Sequence, residues 1–258
     1  MMLISVCSLG GAPGATTLAL AVAAAWRATH ALPMFVEADV SGGDVGAWRR
    51  LPLEVGLLTL AAQARTRTAV APPEEGMLLR HSQRMPGGLH AVLAPSAPHL
   101  VEPSVALLVR QPGVLRQKST VTIVDIGRMV PGSAGAQLAA RTDAVVVVAD
   151  ADVAQLRRIR DCADILAALP ERGVPVGLAV VGEGFSDEEI TGQTGMGVWS
   201  RVPHDTAAAE FLRGTRSVSR VERRPLMRAA RALGARVHTA HAERQQRLRD
   251  LVAEGGRR

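Results

Sequence analysis

A series of continuous apolar runs of strand length constrains this chain more than any other feature: Leu3 to Leu9, Met34 to Ala38, Leu89 to Leu93, Val121 to Asp125, Ala144 to Ala149, Val176 to Val181 and Val198 to Val202. The runs do not alternate polar with apolar residues, which is the pattern of strands covered on both faces. Between them lie Thr16 to His30, Pro103 to Val109, Ala134 to Arg141, Val153 to Leu169 and Thr206 to Arg213, whose apolar spacing suits helices. Strand and helix in alternation predict an α/β fold, a mostly parallel, doubly wound sheet of about seven or eight strands flanked by helices.

With 258 residues, 47% of them hydrophobic, the chain is long enough to bury one large core. We expect one domain over residues 1–240, closing on a docked helix whose apolar face is Leu226, Ala230, Leu233 and Val237. A basic, polar extension over 241–258 follows. The stretch from Arg65 to Gly88 carries Pro72, Pro73, Glu74, Glu75, Pro86 and Gly87 around a short Met77 to Leu79 patch, and reads as a surface excursion.

Composition removes several function classes. Aromatic residues are 2% of the chain and tyrosine is absent, so the core must be aliphatic and a base-stacking surface for single strands has no material. Cys7 and Cys162 sit in apolar segments, as small buried hydrophobes do, which points to a reducing, cytoplasmic setting rather than a disulfide. The apolar run Leu18 to Trp26 has no Lys or Arg before Arg27 and is far short of the ~20 residues that span a bilayer. There is no Gly-x-Ser-x-Gly elbow for a hydrolase triad. His238 and His241 have helical i, i+3 spacing but lack a third ligand nearby.

The net charge of +6 is uneven, with 14 arginines against 6 acids from Arg201 to Arg258. Such a basic segment suits nucleic acid, anionic lipid or an acidic partner, and equally a solvated helix face. Arg244, Arg247 and Arg249 beside Leu248, Leu251 and Val252 suggest peripheral membrane contact, on an apolar face that is small for an interfacial helix.

The most informative segment is Ser8 to Thr17, Ser-Leu-Gly-Gly-Ala-Pro-Gly-Ala-Thr-Thr, which joins the first strand to an alanine-rich helix. Strand, glycine-rich loop and helix form a phosphate cradle: glycines let N–H groups converge on an anion, the helix start adds partial positive charge, and a Ser or Thr hydroxyl reaches a metal. Gly10, Gly11, Gly14 and Thr16 are placed for those tasks, and Asp39 and Asp125 end strands where open α/β sheets bind ligands.

Gly-Gly-Ala-Pro-Gly-Ala-Thr-Thr resembles the deviant Walker A motif of the MinD/ParA P-loop ATPases, usually Lys-Gly-Gly-Val-Gly-Lys-Thr-Thr. On that resemblance Gly10 stands at the signature lysine and Ala15 at the P-loop lysine, while the chain's one lysine is Lys118. Phe35-Val36-Glu37-Ala38-Asp39 resembles the segment ending in the switch I acid, followed by Ser41-Gly42-Gly43-Asp44. Ile123-Val124-Asp125-Ile126-Gly127 resembles the Walker B strand, and Trp199-Ser200-Arg201-Val202-Pro203-His204-Asp205 the strand and proline turn before the penultimate helix. Gly182-Glu183 stands where the family often has an adenine-reading asparagine.

The resemblance implies ATP or ADP held by Gly10, Gly11, Ala12, Pro13, Gly14, Ala15, Thr16 and Thr17, with Mg2+ at Thr16 and Asp125 and a catalytic role for Asp39. It implies a homodimer and a protein partner in a pilus, secretion or division assembly, nearest to the TadZ/CpaE-like branch, whose motifs are irregular. Without both lysines, hydrolysis should be weak or absent unless an arginine substitutes, for which Arg49, Arg50 and Arg128 are candidates. A non-enzymatic scaffold, keeping the old site only as a fold element, is the alternative.

Overall fold

The computed structural model describes residues 1–11, 13–66, 75–85, 87–171 and 173–255. The strands are β1 (Met2–Ser8), β2 (Leu32–Glu37), β3 (Gln83–Arg84), β4 (His90–Val92), β5 (Thr120–Arg128), β6 (Ala144–Asp150), β7 (Val176–Val181) and β8 (Val198–Val202). They form one sheet in the order β3-β4-β2-β5-β1-β6-β7-β8. Every pairing is parallel except that of the edge strand β3 with β4. The expected apolar runs are the seven parallel strands; β3 has two residues and is too short to leave a pattern.

From β1 the chain skips a position to β2, moves out to β4, returns to fill the gap with β5, and then crosses β1 to lay down β6, β7 and β8. The order therefore reverses beside β1, and ligand crevices of such sheets open at the carboxyl ends of the strands at that reversal.

Helices cover both faces: α1 (Ala15–Ala25), α2 (Val45–Arg49), α3 (Leu57–Arg65), α4 (Met77–Arg80), α5 (Pro98–Arg110), α6 (Ala134–Ala139), α7 (Val153–Asp161), α8 (Ala163–Glu171), α9 (Asp187–Thr194), α10 (Thr206–Arg213) and α11 (Pro225–Gly255). All seven residues of β1 are buried. Leu3 and Cys7 join the core under α3, α5, α6 and α7, whereas Met2, Ile4 and Val6 join the core under α1, α10 and α11. Alternate residues of one strand thus feed two aliphatic cores. Alanine lets α1 pack closely on the sheet and beside α11, and a Cβ on Gly234 of α11 would come 3.2 Å from Trp26.

Several sequence expectations need correction. Val153 to Leu169 is two helices, α7 and α8, parted at Cys162; Leu156, Ile159, Leu166 and Leu169 all reach one core, so their spacing conceals the break. Pro103 lies inside α5, which starts at Pro98, so the earlier proline opens the helix. Within the excursion after Arg65, α4 buries Met77 and Leu78 and β3 adds the sheet edge; Pro72, Pro73, Glu74 and Pro86 lie outside the described residues. Cys7 is buried and its thiol is pushed up to about 12, first by burial and then by nearby Asp125, whereas Cys162 is only half-buried. Both cysteines are free.

The last helix continues through the segment expected as an extension: α11 has 31 residues. Leu226, Met227, Ala230, Leu233, Val237 and Ala240 are buried, and beyond them Leu248 and Leu251 stand exposed on the same helix. Among the described residues, no helix is long and apolar enough to cross a membrane.

On β7, a Cβ at Gly177 would fall inside the indole of Trp199 on β8, over which Arg236 also lies at 5.7 Å. Gly177→Val should therefore destabilise the fold by about 1–3 kcal/mol through overpacking, read as a lower urea midpoint.

Candidate functional site

At the carboxyl end of β1 the chain turns through residues 9–14 into α1. Met129 N donates to Ser8 O at 2.8 Å, fixing where the turn begins. Gly14 has φ 83°, a left-handed conformation that glycine adopts without a Cβ clash, and it sets the angle at which α1 starts. No side chain caps α1, and its first internal bond runs from Leu18 N to Gly14 O at 2.9 Å. The N–H groups of Ala15, Thr16 and Thr17 are therefore outside the helix's own ladder. By contrast Ser133, Asp152, Ser186 and Asp205 each cap the helix they precede. Gly11 is exposed with open space where a side chain would begin, and Gly10 is buried beneath the side chain of Arg158. Ala12 lies outside the described residues.

Three carboxylates gather beside this turn, and they are held differently. Glu37 at the end of β2 lies in register with Asp125 of β5, and both are buried. Glu37 Oε1 accepts from Asp44 N at 2.7 Å and Val45 N at 2.9 Å, and Oε2 accepts from Ala94 N at 3.0 Å. It caps α2 from a distance and ties it to the end of β4. Burial still raises its pKa, with those three N–H donors working against the rise.

Asp125 is less well supplied. Its Oδ1 accepts from Gly127 N at 3.0 Å, while its buried Oδ2 has no hydrogen-bond partner. Burial pushes its pKa up to about 7; the Thr16 hydroxyl and Gly127 N–H pull it back, and Glu37 and Asp39 push it further. Asp39 Oδ1 accepts from Ser41 N at 2.8 Å and Ser41 Oγ at 2.6 Å. Its carboxylate fills the space above Gly127, whose φ of 65° and missing Cβ are what allow the approach. A buried carboxylate oxygen without a partner beside a threonine hydroxyl is a pair of hard oxygen donors of the kind that holds Mg2+ with phosphate and water completing its shell.

A cleft of about 340 Å3 opens next to the turn. Pro13, Gly14, Thr17 and Asp150 line one side, and Pro203, His204, Glu210 and Arg213 the other. Gly182 has φ 81°, and His204 Nε2 lies 2.8 Å from where its Cβ would be. The imidazole thus takes the room that a side chain at position 182 would need. Arg213 also lies over the Trp48 ring at 5.0 Å.

The structure brings Gly10, Gly11, Pro13, Gly14, Ala15, Thr16, Thr17, Asp39 and Asp125 together. Of the arginines named as substitutes, Arg49 and Arg50 are placed otherwise, while Arg128 stands where the turn begins. Arg49 donates to the carbonyls of Leu212 and Phe211 at 2.8 and 2.6 Å, pinning the end of α10, and Arg50 closes α2 in a left-handed conformation. Arg128 is exposed at the end of β5, opposite Ser8 in register. Two contributors escaped the sequence reading. Glu37 had a signal, an acid within an apolar strand; Arg158 had none, because its approach to Gly10 is purely tertiary. Among the described residues no group of three or more His, Cys, Asp or Glu is arranged to hold a metal ion, His238 and His241 included.

Buried strand, glycine-bearing turn, uncapped helix and a strand-end aspartate beneath it, set in this sheet order, define the α/β P-loop NTPase fold. More narrowly, the fold is that of the MinD and ParA ATPases. The chain is similar to the ParA family ATPase from Chlorobium tepidum TLS at 15% identity, TM-score 0.68, covering 93% of this chain and 97% of that one. It is similar to the Pyrococcus furiosus cell division ATPase MinD at 16% identity, TM-score 0.69, covering 92% and 98%. A third, the septum site-determining protein MinD complexed with Mg-ADP from Pyrococcus horikoshii OT3, aligns at 12% identity, TM-score 0.68, over 90% and 94%. The sequence matches no protein-family model and no curated protein.

Because folded Asp125 holds its proton more tightly than an unfolded aspartate of pKa about 3.9, its contribution to stability falls as pH rises from about 4 to about 7. Asp125→Asn removes that slope. In Mg2+-free buffer its urea midpoint should exceed that of the wild type at pH 8, and the gap should close towards pH 4.

Proposed function

We propose that this chain is a nucleotide-binding regulator of the MinD/ParA kind that positions a larger assembly, with slow hydrolysis or none. One observation carries the reading: the uncapped start of α1 and the partnerless Oδ2 of Asp125 face the same turn, one wanting an anion and the other a cation. A magnesium nucleotide supplies both charges in one ligand. Support also comes from the Mg-ADP named for the Pyrococcus horikoshii protein of this fold, and from its description as a septum site-determining protein.

In this reading the N–H groups of Gly11, Gly14, Ala15, Thr16 and Thr17 bind phosphate oxygens, with Gly10, Ala12 and Pro13 completing the loop. The Thr16 hydroxyl and Asp125 hold Mg2+, which when bound neutralises phosphate charge. Asp39, fixed by Ser41 and resting on Gly127, is the residue placed to orient a water. The nucleoside occupies the cleft between Asp150 and His204. Phosphoryl transfer depends chiefly on positioning and charge neutralisation, so a loop without lysine binds better than it turns over.

The finer assignments belong to the same proposal: a cytoplasmic homodimer of the TadZ/CpaE-like branch with a degenerate loop, serving a pilus, secretion or division assembly. The domain of residues 1–240 carries the site. The arginine-rich segment 241–258, which starts on α11, faces the partner, with nucleic acid or anionic lipid as other surfaces it suits. Arg244 Nη1 lies 3.8 Å from Asp143 Oδ1, so part of that charge is already engaged within the fold.

The test is calorimetric titration together with thermal melting. Mg-ATP at about 100 times its Kd should stabilise the wild type by ~2.7 kcal/mol, and the gain should shrink when Mg2+ is chelated or when Thr16 is changed to Ala. Asp39→Ala should keep the binding heat while lowering any residual turnover. Neither heat nor a melting shift with the wild type would sink the nucleotide reading and leave the scaffold, with α11 as its contact surface.

A further inference from the structure

We infer that Arg158, on α7, is the phosphate-binding cation of the glycine-rich turn, delivered from within the chain in place of a lysine in the loop itself. This rests on the nucleotide reading above and adds a residue that the loop sequence does not contain.

The first support is steric. An ideal Cβ built on Gly10 would lie 2.7 Å from Arg158 Nε, 2.9 Å from Cδ and 3.2 Å from Cζ. The guanidinium end of Arg158 therefore covers the loop backbone at the position where a side chain of residue 10 would begin. A side chain at 10 would displace Arg158 from this placement, which the glycine leaves open.

The second support is charge. Arg157 Nε lies 3.6 Å from Asp161 Oδ2, and Arg160 Nε lies 3.6 Å from Asp161 Oδ1. Arg158, between them on the same helix, has no ion pair among the described residues. Around the turn stand four acids, Glu37, Asp39 and Asp125 beside it and Asp150 in the cleft wall, against Arg213 in the cleft and Arg128 at the end of β5. A polyphosphate entering this site would meet four acids, and a single divalent ion does not balance both those acids and the phosphates. An unpaired guanidinium against the loop supplies a further positive charge in a planar, multi-donor form suited to phosphate oxygens. The third support is the fully buried, partnerless Oδ2 of Asp125 behind the first turn of α1, which independently marks the same place as a ligand site.

Arg158 is exposed, so Arg158→Ala should leave the melting midpoint of the nucleotide-free protein unchanged. Titration with Mg-ATP should show about tenfold to a hundredfold weaker binding for R158A, the scale of a lost charge-assisted hydrogen bond. Arg158→Lys should recover much of that loss. The ion-paired neighbour serves as control: Arg157→Ala should bind within about twofold of wild type, because a screened surface charge contributes little. Equal affinity of R158A and wild type would overturn this inference and leave the nucleotide reading intact. Equal weakening by R157A and R158A would also overturn it, reducing the effect to general charge. If the wild type itself bound no Mg-ATP, the nucleotide reading would fail first and the inference with it.

Discussion

The whole arrangement depends on β1 being buried along its full length and on both faces. A strand so placed must be paired on each edge, here by β5 and β6, and covered by helices above and below. Its exit can only be at the carboxyl edge of the sheet, where β2, β5 and β6 also end. Acids on those strands are thereby drawn together without any local sequence signal linking them. The turn after β1 is short, and α1 must fall back across the sheet, so the open end of the helix is aimed at the gathered carboxylates.

Glu37 and Asp125 show how one local environment produces two kinds of buried acid. They are cross-strand partners, each drawn from water, and each is pushed towards its neutral form by that burial. Three backbone N–H groups answer the cost at Glu37, and the result is structural: α2 and the end of β4 are fixed to β2. Asp125 has one such donor and a hydroxyl nearby, and one oxygen remains unanswered. Leaving a buried acceptor unmade costs about 1–3 kcal/mol, a charge more, so the deficit is a feature that only a bound cation or a proton removes.

The sheet was legible because continuous apolar strands such as Ala144 to Ala149 have few other ways to be buried. The loop was legible because glycine spacing after a strand is itself the mechanism. Helix limits were less so: Leu156, Ile159, Leu166 and Leu169 all reach one core, and their spacing conceals the break at Cys162. A short element such as α2 exists because Glu37, a buried strand residue outside the helix, answers its first N–H groups. The sequence position of an arginine is an equally poor guide to what it touches. Arg49, Arg50 and Arg128 lie near the motifs in sequence, yet Arg49 holds carbonyls of α10, while the guanidinium on Gly10 comes from a helix well over a hundred residues away.

Arg213 belongs both to the cleft lining and to a stack on Trp48. With no tyrosine and three tryptophans, the near-ultraviolet emission of this protein is carried by few residues, and Trp26 is sealed between α1 and α11. Trp48 is only half-buried and is coupled to the one side chain that also borders the cavity. The stack of Trp48 on Arg213 therefore sets an indole one side chain away from the cleft, where its emission can sense that wall.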